Sequence, residues 1–270
     1  MNLKKAGSLE YYTFDSFEKI DFIGHGFTTR RGGVSEGFLS SLNLGFSRGD
    51  KRENVDTNFD IICDALGVKK EQCVTLRQVH STRIIMADES IKGMGFRNDT
   101  ERIEADAFVT NKKGIVLVTF HADCVPLFFV DTEKKAIGMA HAGWRGTADG
   151  MAAEMIIKMI NEFGSNPKNI KVGIGPSIGL CCFQVDKPVT DIFNEKYSFA
   201  SKYIINDEEA ECKYKIDLWG INKEVLMSKG VKEENIEIGG ICTKCNPEIF
   251  YSHRVMGEKR GTMGAFLFLK

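Results

Sequence analysis

Three residues that can bind a metal or do covalent chemistry stand near the ends of apolar, β-like runs. They are His80 at the end of "CVTLRQVH", Cys124 at the end of "GIVLVTFHADC" and His141 in "AIGMAHAG". Each lies where the chain leaves its run, the place where side chains from different strands can meet. Imidazole nitrogen and thiolate sulfur are donors that zinc accepts in a tetrahedral shell. Three protein ligands leave a fourth position open, as in catalytic rather than structural zinc. The positions 80, 124 and 141 are too widely spaced for a zinc-finger signature. Two other readings of the same residues stand beside this one. Each histidine can be satisfied by backbone groups, with the cysteine a small buried hydrophobe. Alternatively, Cys124 is a nucleophile, His141 or His80 its base, and Asp123 the group that orients the imidazole.

The remaining candidates are weaker. His121 precedes Cys124 by three residues, and strand alternation turns the two to opposite faces, which favours a supporting role. His25 in "IGHGFTTR" and His253 in "YSHR" lie near arginines and can be pocket residues or solvated loop histidines. Cys242 and Cys245 form "CTKC", which supplies only two ligands; with no second pair at suitable spacing, no structural zinc is expected there. "FTTRRGGVSEG" and "SLNLGFSRGD" combine arginines, including Arg30, with glycine and small hydroxyl residues, a composition suited to an anion or to a surface turn. Arg145, four residues after His141, would add positive charge beside a metal.

These residues need elements to position them. "RENVDTNFDIICDALGV" has helical spacing at Val55, Phe59, Ile62 and Leu66, with Gly67 as a stop. Several β-like runs follow, among them "PLFFVD" and "AIGMAHAG" around the polar turn "TEKK". A second helix is predicted from an N-cap at Thr147, with Met151, Met155 and Met159 as a core stripe and Gly164 closing it. "NIKVGIGPSIG" reads as a strand entering a loop, "DLWGINKEVLMSKG" as a third helix and "AFLFL" as a closing strand. The first fifty residues, rich in Gly and Ser, read as loops over the core. Strands and helices mixed without a regular βαβ period indicate an α+β, mixed-sheet domain.

Composition narrows the classes further. A chain of 270 residues with 43% hydrophobic and 27% charged residues is ordinary for a globular protein. No apolar run approaches the roughly 18 residues that cross a bilayer, and a net charge of -1 with no basic stripe argues against nucleic acid. No secretory h-region follows the N-terminal lysines, so a cytoplasmic location with eight reduced cysteines is expected. Five histidines are too few for a multicopper oxidase cluster.

In order along the chain, "FTTRRGGVS", "SLNLG", "RQVHS", "EADAFVT", "ADCVP", "AHAGWRG", "GPSIGLCCFQV", "DLWGIN" and "CTKCNPEIFYSHR" resemble the YfiH family. Its members have been called multicopper polyphenol oxidases, laccase-domain proteins and purine nucleoside phosphorylases. The resemblance implies one domain over residues 1–270, a layered α/β/β/α fold similar to cysteine hydrolases that include the cytotoxic necrotising factors. It implies metal ligands at His80, Cys124 and His141, with zinc as the metal and copper as an adventitious occupant. It implies phosphorolysis of adenosine, inosine, guanosine and methylthioadenosine, with adenosine deamination beside it, and no obligate protein partner. In that setting Arg30 and Arg145 would bind phosphate, Asn43 or Gln78 would orient substrate, and Asp123 would transfer a proton or support the ligands. Copper-dependent polyphenol oxidation and a non-catalytic metal-binding or peptidoglycan-editing role are the alternatives. The chain departs from the family pattern at His121, where threonine is usual, and in "SHRV", where "SYRR" is usual.

Overall fold

The computed structural model describes residues 1–96 and 102–270. It begins with strands where the sequence suggested loops: Asn2–Ala6 (β1), Leu9–Thr13 (β2) and, after the short helix Asp15–Glu18 (α1), Ile23–Thr28 (β3). Glycine misleads here because it serves packing. A Cβ on Gly24 would lie 2.1 Å from the ring of Phe268, so the neighbouring strand fills the space a side chain would need. The loop expectation fits residues 29–51, apart from a 3-10 turn at Gly37–Leu39.

The predicted first helix is Arg52–Leu66 (α2), which buries Val55, Phe59 and Ile62 and ends at Gly67 with φ 71°. Beyond it, Cys73–Thr75 (β4) stops well before His80, which therefore sits on a loop. Ile84–Met86 (β5), Ala107–Thr110 (β6), Val116–His121 (β7), Val125–Asp131 (β8) and Ala136–Ala142 (β9) follow. The helix expected from Thr147 is two helices, Trp144–Ala148 (α3) and Met151–Phe163 (α4). Gly150 at φ 83° breaks the path between them, and Thr147 is no cap: it lies inside α3, its hydroxyl accepting from Asn222 Nδ2 at 3.1 Å. Then come Ile170–Ile174 (β10), Gln184–Asp186 (β11), Lys187–Lys196 (α5), Ile204–Asn206 (β12) and Lys213–Ile216 (β13). Leu218–Ser228 (α6), Ile236–Ile238 (β14), His253–Met256 (α7) and Met263–Leu269 (β15) complete the order.

Among the described residues, one six-stranded sheet runs β1-β2-β3-β15-β7-β4 and a second β14-β10-β8-β9-β6-β5; a small sheet is ordered β11-β13-β12. Side-chain alternation decides how they stack. In β8, Phe128 and Val130 join the cluster between the two large sheets, with Phe27, Leu117 and Leu267. Val125, Leu127 and Phe129 face the other way, into a cluster with Met151, Met155 and Met159 of α4 and Ile221 of α6. Both faces of β8 are buried, which is why it reads as a continuous apolar run rather than an alternating one. On the outer face of the first sheet, Phe59 and Ile62 of α2 pack on Val116, Val118 and Phe266. The order of layers is therefore helix, sheet, sheet, helix. No helix among the described residues is long and apolar enough to cross a membrane.

Candidate metal centre and cleft

Three routes deliver the chemistry to one end of the space between the large sheets. His141 lies in β9, opposite Pro126 of β8; Cys124 immediately precedes β8; His80 comes in on the loop between β4 and β5. Cys124 Sγ and His80 Nε2 are 3.8 Å apart, and the His80 and His141 ring centroids are 4.9 Å apart. One donor atom from each of the three residues falls within 4.8 Å of the others, so they can share one metal ion. Burial would raise the Cys124 thiol, but the facing His141 and His80 imidazoles outweigh it and bring it down to about 6. Burial likewise opposes charge on His141, yet the Cys124 sulfur and a carboxylate hold its proton up to about 9. Cys124 is thus a ready thiolate, the form that binds metal.

The carboxylate is Asp106, which sequence reasoning did not single out although it stands in the quoted "EADAFVT". It is fully buried. His141 Nδ1 donates to its Oδ1 at 2.9 Å, which turns Nε2 toward the cluster. The backbone N–H of His80 also donates to Oδ1, at 3.0 Å; those of Val79 and Ser81 donate to Oδ2 at 3.2 and 2.7 Å, with the Ser81 hydroxyl at 2.8 Å. His80 has a left-handed φ of 61°, uncommon for a side chain of its kind, and the carboxylate gathers the loop that holds it there. One group therefore positions two of the three candidate ligands. An aspartate just ahead of a buried strand was its only trace in the sequence.

Asp123, proposed to orient an imidazole or move a proton, does neither of these through any bond seen here. Its Oδ1 accepts from Thr243 Oγ1 at 2.6 Å, and its Oδ2 accepts from Ser252 Oγ at 3.0 Å and the Arg254 N–H at 2.7 Å. It ties the Cys124 loop to the C-terminal part of the chain. His121 is also spoken for: its Nδ1 donates to the Cys124 carbonyl at 3.1 Å and its Nε2 accepts from Thr119 Oγ1 at 2.8 Å. Burial pushes its pKa far down, so the ring is neutral and supports Cys124 from behind. Gly143, the residue after Ala142, is required by closeness: a Cβ there would lie 2.9 Å from His80 Cδ2 and 3.1 Å from Cys124 Sγ.

Two connected depressions open over the three ligands. The larger, about 460 Å³, has apolar walls from Trp144, Ile178, Phe183 and Leu218 and a rim of Arg48, Arg145, Arg254 and Arg260, with His253 and Glu258 beside them; Glu258 pairs with Arg48 at 3.4 Å. The other is lined by Phe46, Arg48, Gln78, Phe120, Arg260 and Thr262. Arg145 lies over the Trp144 ring at 4.2 Å, so Trp144 both packs on the core and fronts the cleft. Arg48, in the stretch "SLNLGFSRGD" read as suited to an anion, and Arg260, which the sequence did not mark, line both depressions. Arg260 is only 8% exposed, and its Nε and Nη1 have no hydrogen-bond partner, as is also true of Thr262 Oγ1. Buried polar groups are ordinarily paired, so an open guanidinium facing a cleft is suited to an anion.

Other expected substrate residues have different places. Arg30 does not line the cleft: Nε donates to Ser40 O and Nη1 to Pro247 O, and the guanidinium stacks on Tyr251. Asn43 is fully buried and folds the adjoining loop, accepting from the Gly45 and Thr262 N–H groups and donating to Asp50. Gln78 reaches the cleft, but its amide is paired both ways with the Phe120 backbone. His25 is in the core, accepting from the Phe14 N–H at Nε2. The cysteine expectation is also corrected: Cys181 and Cys182 come together with Cys242 and Cys245, their sulfurs all within 4.8 Å, because folding supplies a second pair that spacing could not show.

A family model described as "Multi-copper polyphenol oxidoreductase laccase" matches residues 24–270. The chain is 37% identical over 246 residues to a Bacillus subtilis protein named purine nucleoside phosphorylase YlmD, covering 91% of this chain and 88% of that one. It is 33% identical over 251 residues to a protein named adenosine deaminase RL5, from an unknown prokaryotic organism, covering 90% and 95%. The crystal structure of a Bacillus licheniformis hypothetical protein, YfiH, superposes with a TM-score of 0.92 at 32% identity, covering 99% of both chains.

Proposed function

This chain belongs to the laccase-domain family of YfiH and YlmD, and from that premise we propose that it is a zinc-dependent purine nucleoside phosphorylase. Its substrates on this reading are adenosine, inosine, guanosine and methylthioadenosine, cleaved by inorganic phosphate within one catalytic unit spanning residues 1–270. The observation that carries it is the meeting of the His80, Cys124 and His141 donors with the open guanidinium of Arg260 at one cleft. One thiolate and two imidazoles suit zinc, which would supply a Lewis-acid charge at the cleft floor.

The chain's own residues divide the remaining work. Arg48 and Arg260 bind the phosphate dianion, with Arg145 on the wall of the larger depression and the Thr262 hydroxyl on that of the smaller. The apolar wall of Trp144, Phe183 and Leu218 receives the purine. A phosphate oxygen forms a bond to the anomeric carbon as the bond to the purine nitrogen breaks, and the phosphate's proton ends on the base. Ribose 1-phosphate and free base leave. The arginines stabilise this reaction by holding the anion at short range to the carbon that becomes positive. Copper-dependent polyphenol oxidation is disfavoured because, among the described residues, two histidines join Cys124 in the cluster, and the chain's five histidines are too few for a multicopper centre.

The test incubates the purified protein with adenosine or inosine, with and without phosphate, and separates the products. Phosphate-dependent base and ribose 1-phosphate are expected; inosine formed from adenosine without phosphate would assign deamination instead. Turnover that survives Cys124→Ala unchanged would overturn the enzymatic reading. Arg260→Met should raise the KM for phosphate by about 10- to 100-fold, the loss of charge-assisted bonds. It should leave the melting temperature unchanged or higher, since it removes an unpaired buried cation. A phosphate KM equal to wild type would remove Arg260 from the site.

A further inference from the structure

We propose that Cys181, Cys182, Cys242 and Cys245 bind a second, structural zinc ion, distinct from any ion at His80, Cys124 and His141. The four sulfurs lie within 4.8 Å of one another. A tetrahedral zinc with sulfur bonds of about 2.3 Å has sulfur-to-sulfur edges of roughly 3.8 Å. Cys245 Sγ is 3.5 Å from Cys181 Sγ and 3.4 Å from Cys182 Sγ, so small displacements bring these edges to that length. Being nearly equidistant from two partners, Cys245 has no single mate of the kind a disulfide requires. A shared central ion uses all the sulfurs at once.

The surrounding backbone resembles a metal-binding knuckle. Cys242 is buried, and the Gly179 N–H donates to its sulfur at 3.3 Å, a bond that supports a thiolate. The Cys242–Cys245 turn is closed by Asn246, whose Nδ2 donates to the Cys242 carbonyl at 2.8 Å. Its link to the other segment is a narrow bridge: the Ser177 N–H donates to Ile241 O and the Thr243 N–H to Ser177 O. A metal here would cross-link two loop segments far apart in sequence, which is where such a link adds most order.

The same two segments reach the catalytic cleft. The Ile178 N–H donates to the Asp123 carbonyl at 2.9 Å, and Thr243 Oγ1 donates to the Asp123 carboxylate. Asp123 directly precedes Cys124, and Ile178 and Phe183 form part of the cleft wall. The second ion would therefore fix the frame that carries Cys124 without touching substrate. The four cysteines can hold an ion whether or not the cleft takes nucleosides.

Elemental analysis of protein purified in reductant with zinc supplied is the test. Wild type is expected to hold two zinc ions per chain. The double variant Cys181→Ser/Cys245→Ser, which changes two exposed residues, is expected to hold one and to melt at a lower temperature. Equal zinc in the two proteins would overturn the proposal, as would a disulfide among the four cysteines in the reduced wild type. Should the double variant fold poorly, a cobalt titration of Cys124→Ala decides the matter. That variant keeps the four cysteines but has no thiolate at the other centre. An intense thiolate-to-cobalt charge-transfer band is expected, and its absence would overturn the site.

Discussion

At the scale of single residues, the centre depends most on one that is not itself a candidate ligand. Five donors converge on the two oxygens of Asp106: three backbone N–H groups, the Ser81 hydroxyl and His141 Nδ1. Asp106→Asn replaces one of those oxygens with a donor. If the amide nitrogen takes the Oδ1 place it opposes His80 N–H and His141; in the Oδ2 place it opposes Val79, Ser81 and the hydroxyl. Either orientation leaves buried donors facing a donor. Zinc affinity at His80, Cys124 and His141 should therefore fall by about 10- to 100-fold, as for other partners of metal-bound histidine. Competition with a chromophoric chelator measures it, and an affinity equal to wild type would mean that Asp106 does not position the ligands. Sequence shows the ligands because His and Cys are rare and chemically distinctive. It hides Asp106 and Arg260 because acidic and basic residues are common, and only burial and the excess or lack of partners set these two apart.

Elements were legible where a periodic face was long. The stripe of Val55, Phe59 and Ile62 marks α2, and the methionines mark α4, because each face packs on a sheet. Short edges were not: β1 to β3 carry tyrosines and packing glycines, and the split between α3 and α4 turns on the backbone of Gly150 alone. The four-cysteine cluster was illegible for another reason, since its halves meet only through the tertiary fold. Among the glycines, Gly143 matters most to the centre. It precedes α3 with φ -64°, a value any residue adopts, so alanine is acceptable to the backbone. The added Cβ would instead press on His80 Cδ2 and Cys124 Sγ. Gly143→Ala should keep the unfolding free energy within about 1 kcal/mol of wild type while weakening zinc binding by about tenfold or more. Unaltered zinc binding, read by the same chelator competition, would show that the ligands have room to move.

For the molecule as a whole, stability against acid falls on the layer between the two sheets, where His25 is 7% exposed. Its ring packs beside Phe14 and Phe17, and Nε2 accepts the Phe14 N–H at 2.8 Å, a bond that only an unprotonated nitrogen can make. Burial pushes its pKa down from 6.5 to about 4; Glu18 and Glu237 act the other way, and Lys270 and Lys4 reinforce the fall. The folded value is thus below the unfolded one. Above the unfolded pKa of about 6.5 both states are neutral and the contribution is complete. As pH drops toward about 4 the unfolded chain takes up the proton and the folded chain does not, so stability is lost through that window. The loss attributable to His25 should approach 3 kcal/mol. His25→Gln supplies a side-chain oxygen for the Phe14 N–H and cannot titrate. Urea unfolding at several pH values from neutral to about 4 should therefore show a steeper decline for wild type than for His25→Gln, whatever their stabilities at neutral pH. Parallel declines would place the acid sensitivity of the fold in other groups.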